Sequence, residues 1–388
     1  MIKKTLRVGV VGGNSWLVNM YRRTLASIGI KVVAIVASGN PDEAIEKGQK
    51  CPNLAGVKLY RTVEEMIEGE SELHFVLVCS RNDAHLAQFS AIVQAGIPLA
   101  GEKPAFQTLS EMQQFDQLLA DQPKSLPILS CHMYPFHRVM QTIKWLLTNR
   151  LDLIGQPWGW ESSYLQDWLA NPADQTNWRL IPSEDPVLAA QQGNAIVDIQ
   201  SHQHALSHEL GFVLKSVDHA RRWNTFNPKL LETNVRTAAT MEFGGKEVRA
   251  DLTTDQTRIG HKNDVGFTVS CANSTITWRQ EHPEDATINF GNGSFGEVKI
   301  YRGQLPEGIF GKSPAELGGD IPPGHPEGLP SASAYAFSAF EADVRTYWDG
   351  LYEKPSPGYF NYQGAREIMG GNAATIRSCN DGVKVSLV

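Results

Sequence analysis

Apolar and polar positions follow one rhythm up to about residue 131 and another beyond it. Residues 6–12 (LRVGVVG), 31–37 (KVVAIVA) and 74–79 (HFVLVC) are almost continuously apolar. Shorter runs of the same kind lie at 57–60, 98–101 and 126–131. Between them, 16–28, 42–50, 62–68, 84–96 and 109–121 space their apolar residues as helices do. A strand without a polar face is buried on both sides, and strands alternating with helices in this way form βαβ units of a parallel sheet. After residue 131 a helix is predicted over 135–150, and then the period drops to two. WGWESSYL, RTAATMEF, EVRADLTT, GFTVSC and STITWRQ, all between 156 and 300, suggest a mostly antiparallel sheet with one solvated or ligand-facing side. Residues 196–212 interrupt these strands with a helical stretch. Residues 304–331, rich in glycine and proline, read as a long irregular loop, and 333–351 and 363–378 close the chain as helices.

The pattern implies an α/β domain over 1–131 and an α+β domain over 132–388, the latter an open, mostly antiparallel sheet with helices on one face. A length of 388 residues suits two domains. The helix 363–378 is expected to pack back on the first domain. A net charge of −7 and a pI of about 5.9 argue against a nucleic-acid binder. Five scattered cysteines without a CxxC pair point to a reducing compartment and to neither a disulfide framework nor a zinc cluster. The apolar run after Met1 is too short for a signal peptide, and no stretch reaches membrane-span length, so a cytoplasmic protein is expected.

The first strand ends in Gly12-Gly13-Asn14-Ser15-Trp16-Leu17, directly before a helix. A strand, a glycine turn and a helix N-terminus make a dinucleotide site of the Rossmann kind, because the turn admits a pyrophosphate to free N–H groups. Gly12, Gly13, Asn14, Ser15 and Trp16 are the expected contacts. The pattern departs from GxGxxG: Asn14 takes the place of the second glycine and Leu17 that of the third. The second strand ends in Ala37-Ser38-Gly39-Asn40, with neither the acid that selects NAD nor an arginine for NADP. Ser38 and Asn40 suit either, and the cofactor is left as NAD or NADP.

Two further strand ends carry polar turns. Cys79-Ser80-Arg81-Asn82-Asp83-Ala84-His85 opens a helix, and Gly101-Glu102-Lys103-Pro104 follows the next strand. Farther on, 193–202 reads GNAIVDIQSH, with Asp198 and His202 spaced to share one helical face. These segments resemble the Gfo/Idh/MocA family of glucose–fructose oxidoreductase and inositol dehydrogenase relatives, over essentially the whole chain. The resemblance implies a nicotinamide-dependent enzyme with Lys103, Asp198 and His202 at the substrate hydroxyl, and Cys79, Ser80, Asn82, His85, Glu102 and Lys103 lining the cofactor. His202 is read as the general acid/base, Lys103 as the donor to the reacting oxygen and Asp198 as the group that orients both. Lys103–Pro104 is often a cis peptide in that family.

Tyr164-Leu165-Gln166-Asp167-Trp168, Asn177-Trp178-Arg179, 260–263 (GHKN) and 324–328 (GHPEG) resemble a sugar- and polyol-oxidising branch of the same family. Tyr164, Gln166, Asp167, Trp168, Trp178, Arg179, His204 and His325 are therefore the expected substrate contacts. His204 and His208 also have metal-ligand spacing, but HExxH is absent and no metal is expected. The resemblance implies a homodimer or homotetramer acting on a small carbohydrate or polyol. A non-catalytic cofactor-sensing regulator of the same fold, or a redox-neutral glycoside-cleaving enzyme that retains NAD, are the competing classes.

Overall fold

The continuous apolar runs become central strands because both of their faces are covered. In the computed structural model, residues 5–12, 16–37, 46, 56–291, 295–311 and 328–387 are described, with the backbone alone for 16–19. Two compact units result: Met1–Met133 with Pro330–Ala365, and Tyr134–Leu329 with Arg366–Val388.

The first unit holds β1 (Arg7–Val11), β2 (Lys31–Val36), β3 (Lys58–Tyr60), β4 (Phe75–Val78), β5 (Leu99–Gly101) and β6 (Ile128–Ser130). They form one sheet in the order β3-β2-β1-β4-β5-β6, every pair parallel. Connections leave β1 in opposite directions, which makes the carboxyl ends of β1 and β4 the topological switch point where such sheets bind ligands. Helix α1 (Trp16–Ser27) follows β1 directly. Thr62 caps Val63–Gly69 by accepting from the Glu65 N–H, and Thr108 with Glu111 forms a capping box on Leu109–Ala120.

One layer of this unit comes from far along the chain. The helix Leu329–Trp348 sets Phe337 edge-on to Tyr21 at 5.4 Å and Phe340 edge-on to Phe75 at 5.2 Å. The closing helices divide between the two units. From Pro330 on, Leu329–Trp348 belongs to the first unit; the last helix, Tyr362–Asp381, belongs from Arg366 on to the second. Burial explains the exchange: Phe337, Phe340 and Val344 are fully enclosed in the first unit, and Ile376 joins the core of the second.

The second unit contains β7 (Pro157–Leu165), β8 (Val213–Trp223), β9 (Asn234–Phe243), β10 (Lys246–Asp255), β11 (Asp264–Cys271), β12 (Ser274–Arg279), β13 (Asp285–Phe290), β14 (Glu297–Tyr301) and β15 (Val385–Ser386). The sheet order is β14-β13-β12-β11-β7-β10-β9-β8-β15, antiparallel except for the parallel pair β7 and β10. Period-two alternation sends Trp160, Leu252, Phe267 and Trp278 into one core, shared with Val139 and Ile143 of the helix Arg138–Asn149 and Leu206 of the helix Ser201–Glu209. Arg249 and Asp251 alternate to the other, exposed face. Among the described residues no helix is long and apolar enough to cross a membrane.

Candidate active site

In the first unit the site begins at Gly12. Its φ is +92°, a conformation that disfavours side chains, and a Cβ there would lie 2.6 Å from the Ser80 nitrogen and 2.7 Å from the Cys79 carbonyl carbon. Only glycine lets the turn after β1 abut the end of β4, with α1 opening just beyond. This close approach fits a dinucleotide cradle, whose first glycine serves the tight turn. Gly13, Asn14, Ser15 and Ser38 lie outside the described residues, as does the side chain of Trp16.

The other expected cofactor residues of this unit divide into open and inward ones. Lys103 is half-buried at the end of β5, and the Lys103–Pro104 peptide is cis. Ser80 and Asn82 are half-buried; the Ser80 hydroxyl donates to Gln88 Oε1 at 2.5 Å, and Asn82 Oδ1 accepts from Gln107 Nε2 at 3.1 Å. His85, by contrast, is 1% exposed. Its Nδ1 lies 3.0 Å from the Pro104 carbonyl and its Nε2 3.3 Å from that of Ser80, so the ring joins the two polar turns from within. Burial lowers its pKa, which keeps the ring neutral. Cys79 is buried too, and burial pushes its thiol well above the usual range. Glu102 accepts from the Tyr21 hydroxyl at 2.6 Å and from the Lys103 N–H at 3.1 Å. Apolar packing has turned the His85 and Cys79 side chains inward, and His85 secures the backbone around Pro104.

In the second unit, residues Ile196–Gln200 form a π-helical turn that continues as the helix Ser201–Glu209. Asp198 sits within this wider turn, a feature common at functional sites, so an ordinary α-helical spacing does not describe how it relates to His202. The turn is anchored from behind: Glu232 Oε1 accepts the Ile196 N–H at 3.2 Å, and Arg222 pairs with Glu232 at 3.3 Å. The His202 ring packs against Tyr134 (centroids 4.8 Å apart) and Tyr164 (5.6 Å). The two phenol oxygens are 3.2 Å apart. Burial raises the Tyr164 pKa well above its ordinary value, and the neighbouring Tyr134 and the charge of Asp198 raise it further, so this hydroxyl stays a neutral hydrogen-bonding group.

From Tyr164 a polar network runs outward. Gln166 Nε2 donates to Asn263 Oδ1 at 2.9 Å and to the Tyr164 oxygen at 3.4 Å, and Gln166 Oε1 accepts from Trp168 Nε1 at 2.9 Å. Lys262 pairs with both Asp167 oxygens, at 3.1 and 2.9 Å, and lowers the Asp167 pKa. The Arg179 guanidinium lies 4.4 Å from the Trp178 ring centroid and 6.0 Å from that of Trp168. Tyr164, Gln166, Trp168, Trp178 and Arg179 are thus brought into one cluster. His204 is not: its ring lies against Gly371 of the helix Tyr362–Asp381, 4% exposed, with neither nitrogen hydrogen-bonded. His325 lies outside the described residues.

Sequence reading left three members unassigned. Asn263 stands out in the sequence only as part of the stretch 260–263, and Tyr134 and Glu232 carry no local signal, Glu232 because its effect is made through an N–H of a distant turn. The alternation that places Trp160, Ser162, Tyr164 and Gln166 on one face was readable. Among the described residues no group of three or more His, Cys, Asp or Glu is arranged to hold a metal.

A family model described as an oxidoreductase family with an NAD-binding Rossmann fold matches residues 6–128. No curated protein matches the chain in sequence. Among solved structures, an inositol dehydrogenase homologue from Azotobacter vinelandii complexed with NAD+ is similar at 21% identity and a TM-score of 0.83, covering 100% of this chain and 98% of that one. An oxidoreductase from Sinorhizobium meliloti is similar at 21% identity and a TM-score of 0.80, over 99% of this chain and 100% of that one. A levoglucosan dehydrogenase in complex with NADH and levoglucosan is similar at 18% identity and a TM-score of 0.78, over 99% of both chains. At such identities the likeness carries the fold. Residues 6–128 therefore match an oxidoreductase family whose NAD-binding Rossmann fold is the one that the six-stranded parallel sheet displays.

Proposed function

We propose that this protein is an NAD-dependent dehydrogenase that oxidises a secondary hydroxyl of a sugar, inositol or related polyol. The observation that carries the reading is His202 packed against two buried tyrosines, one of which, Tyr164, also feels the charge of the half-buried Asp198 on a π-helical turn. That is an imidazole packed between two phenol rings, a setting suited to proton removal from an alcohol. His202 takes the hydroxyl proton, since imidazole is the side chain whose ordinary range spans neutral pH. Lys103 donates a hydrogen bond to the same oxygen and stabilises the negative charge that develops on it. Asp198 orients and tunes the pair. The Gly12 turn and the first N–H groups of α1 would hold the pyrophosphate of NAD, which would supply the hydride acceptor. The NAD+ and NADH in the similar inositol dehydrogenase homologue and levoglucosan dehydrogenase support NAD over NADP. Trp168 and the Gln166–Asn263 amides suit a ligand with apolar ring faces and hydroxyl edges.

The test is formation of reduced nicotinamide from inositols, aldoses and anhydrosugars, with NAD and NADP in parallel. With the substrate found, Lys103→Ala and His202→Ala are each expected to lower kcat by about a hundredfold or more, the usual worth of a positioned acid–base group. Rates near wild type in both variants refute the assignment.

A further inference from the structure

We infer that the substrate carries a carboxylate and that Arg179 binds it, an inference that rests on the dehydrogenase reading above and narrows its substrates to acidic sugars. Arg179 is a half-buried cation of the second unit that rests on aromatic rings, as Arg221 and Arg236 do on Trp223, but it alone of these three adjoins the Gln166–Tyr164 network. Arg150, Arg222, Arg279 and Arg302 each pair with an acid, at 3.1 to 3.3 Å. Among the described residues no carboxylate pairs with the Arg179 guanidinium, which rests on the Trp178 and Trp168 rings instead. The acid beside Trp168 in sequence, Asp167, is taken up by Lys262 through both of its oxygens.

The position is built, not incidental. Asn177 caps the short turn Trp178–Leu180 by accepting the Arg179 N–H at 3.0 Å, and the fully buried Leu180 fastens it through its carbonyl to the Leu231 N–H at 2.8 Å. Trp168 is held by Gln166, and Gln166 by Asn263 and by Tyr164, whose ring meets His202. The guanidinium therefore stands at one end of a continuous network that has His202 at the other.

Aromatic faces cover the flat sides of a guanidinium and leave its in-plane N–H donors at the edge. That edge matches a planar carboxylate with two parallel hydrogen bonds, and the match neutralises a half-buried charge. A pair of hydroxyls also accepts from the edge, but leaves the charge uncompensated. The chemistry thus favours a sugar with its carboxylate on Arg179 and the hydroxyl to be oxidised toward His202.

Two measurements decide. The first compares kcat/KM for glucuronate against glucose, and galacturonate against galactose, with glucose 6-phosphate as a third anion. The acid is expected to be favoured by about tenfold to a hundredfold, the worth of charge-assisted hydrogen bonds. Arg179→Gln is expected to bring the acid-to-neutral ratio toward one, and Arg179→Lys to restore part of it. The second is calorimetric titration of glucuronate and glucose in the presence of NADH, which needs no turnover. Acid-selective binding that Arg179→Gln abolishes supports the assignment even if no sugar is oxidised, and that outcome would instead remove the dehydrogenase reading. Equal or weaker binding of the acid, or a selectivity untouched by Arg179→Gln, overturns the inference. A preference for glucose 6-phosphate over both uronates overturns the carboxylate.

Discussion

His204 makes the stability of the second unit depend on pH in a calculable way. Its ring is enclosed against Gly371, with both nitrogens lacking hydrogen-bond partners. Burial lowers its pKa from 6.5 to about 4. In the unfolded chain the imidazole regains its ordinary pKa, so between these values the unfolded state binds the proton and the folded state does not. Stability from this group is complete above about pH 6.5, declines as pH falls, and levels off below about pH 4. At about 1.4 kcal/mol per pH unit the full loss is about 3 kcal/mol, of which about 2 is gone by pH 5. That is a large share of the ~5–15 kcal/mol that holds a domain together. His204→Leu removes the titrating group and keeps an apolar filling. The assay is urea unfolding by tryptophan fluorescence at several pH values, reading the transition in which the second unit unfolds. The wild type is expected to lose about 2 kcal/mol more than the Leu variant between about pH 7.5 and about pH 5. At the higher pH the variant should be no less stable, because it relieves two orphaned ring nitrogens. Parallel stability curves for the two proteins refute the reasoning.

Gly12→Ala should abolish tight NAD binding, since the new Cβ meets backbone at 2.6 Å and the residue is held at φ +92°. We expect Kd to rise by more than about tenfold by fluorescence titration with NADH, and an unchanged Kd contradicts the cradle. Tyr21→Phe removes a donor from the buried Glu102 carboxylate. A cost of about 2 kcal/mol to the first unit is expected in denaturant melts, and Glu102→Gln in the Phe background should recover part of it; no loss in the single variant refutes this role.

Much of this protein is decided at short range, and that part is legible in the sequence. A strand buried on both sides must be apolar throughout, so β1, β2 and β4 announce themselves, and with them the parallel sheet. A turn that tolerates only glycine shows at Gly12, and the EKP strand end shows at Glu102–Pro104 because its chemistry is contiguous in the chain. What only the tertiary structure decided is made of partners distant in sequence. Local pattern states that a segment has an apolar face, but not which surface will cover it. Hence the exchange of the closing helices, with Pro330–Ala365 completing the first unit, and the parallel pairing of β7 with β10 inside an antiparallel sheet. Polar residues are less legible still, because a histidine looks alike in sequence whether it faces a ligand or a core. His85 clasps the Pro104 carbonyl, His204 is sealed against Gly371, and His202 meets two tyrosines; all three are buried, and long-range partners, not spacing, separate them.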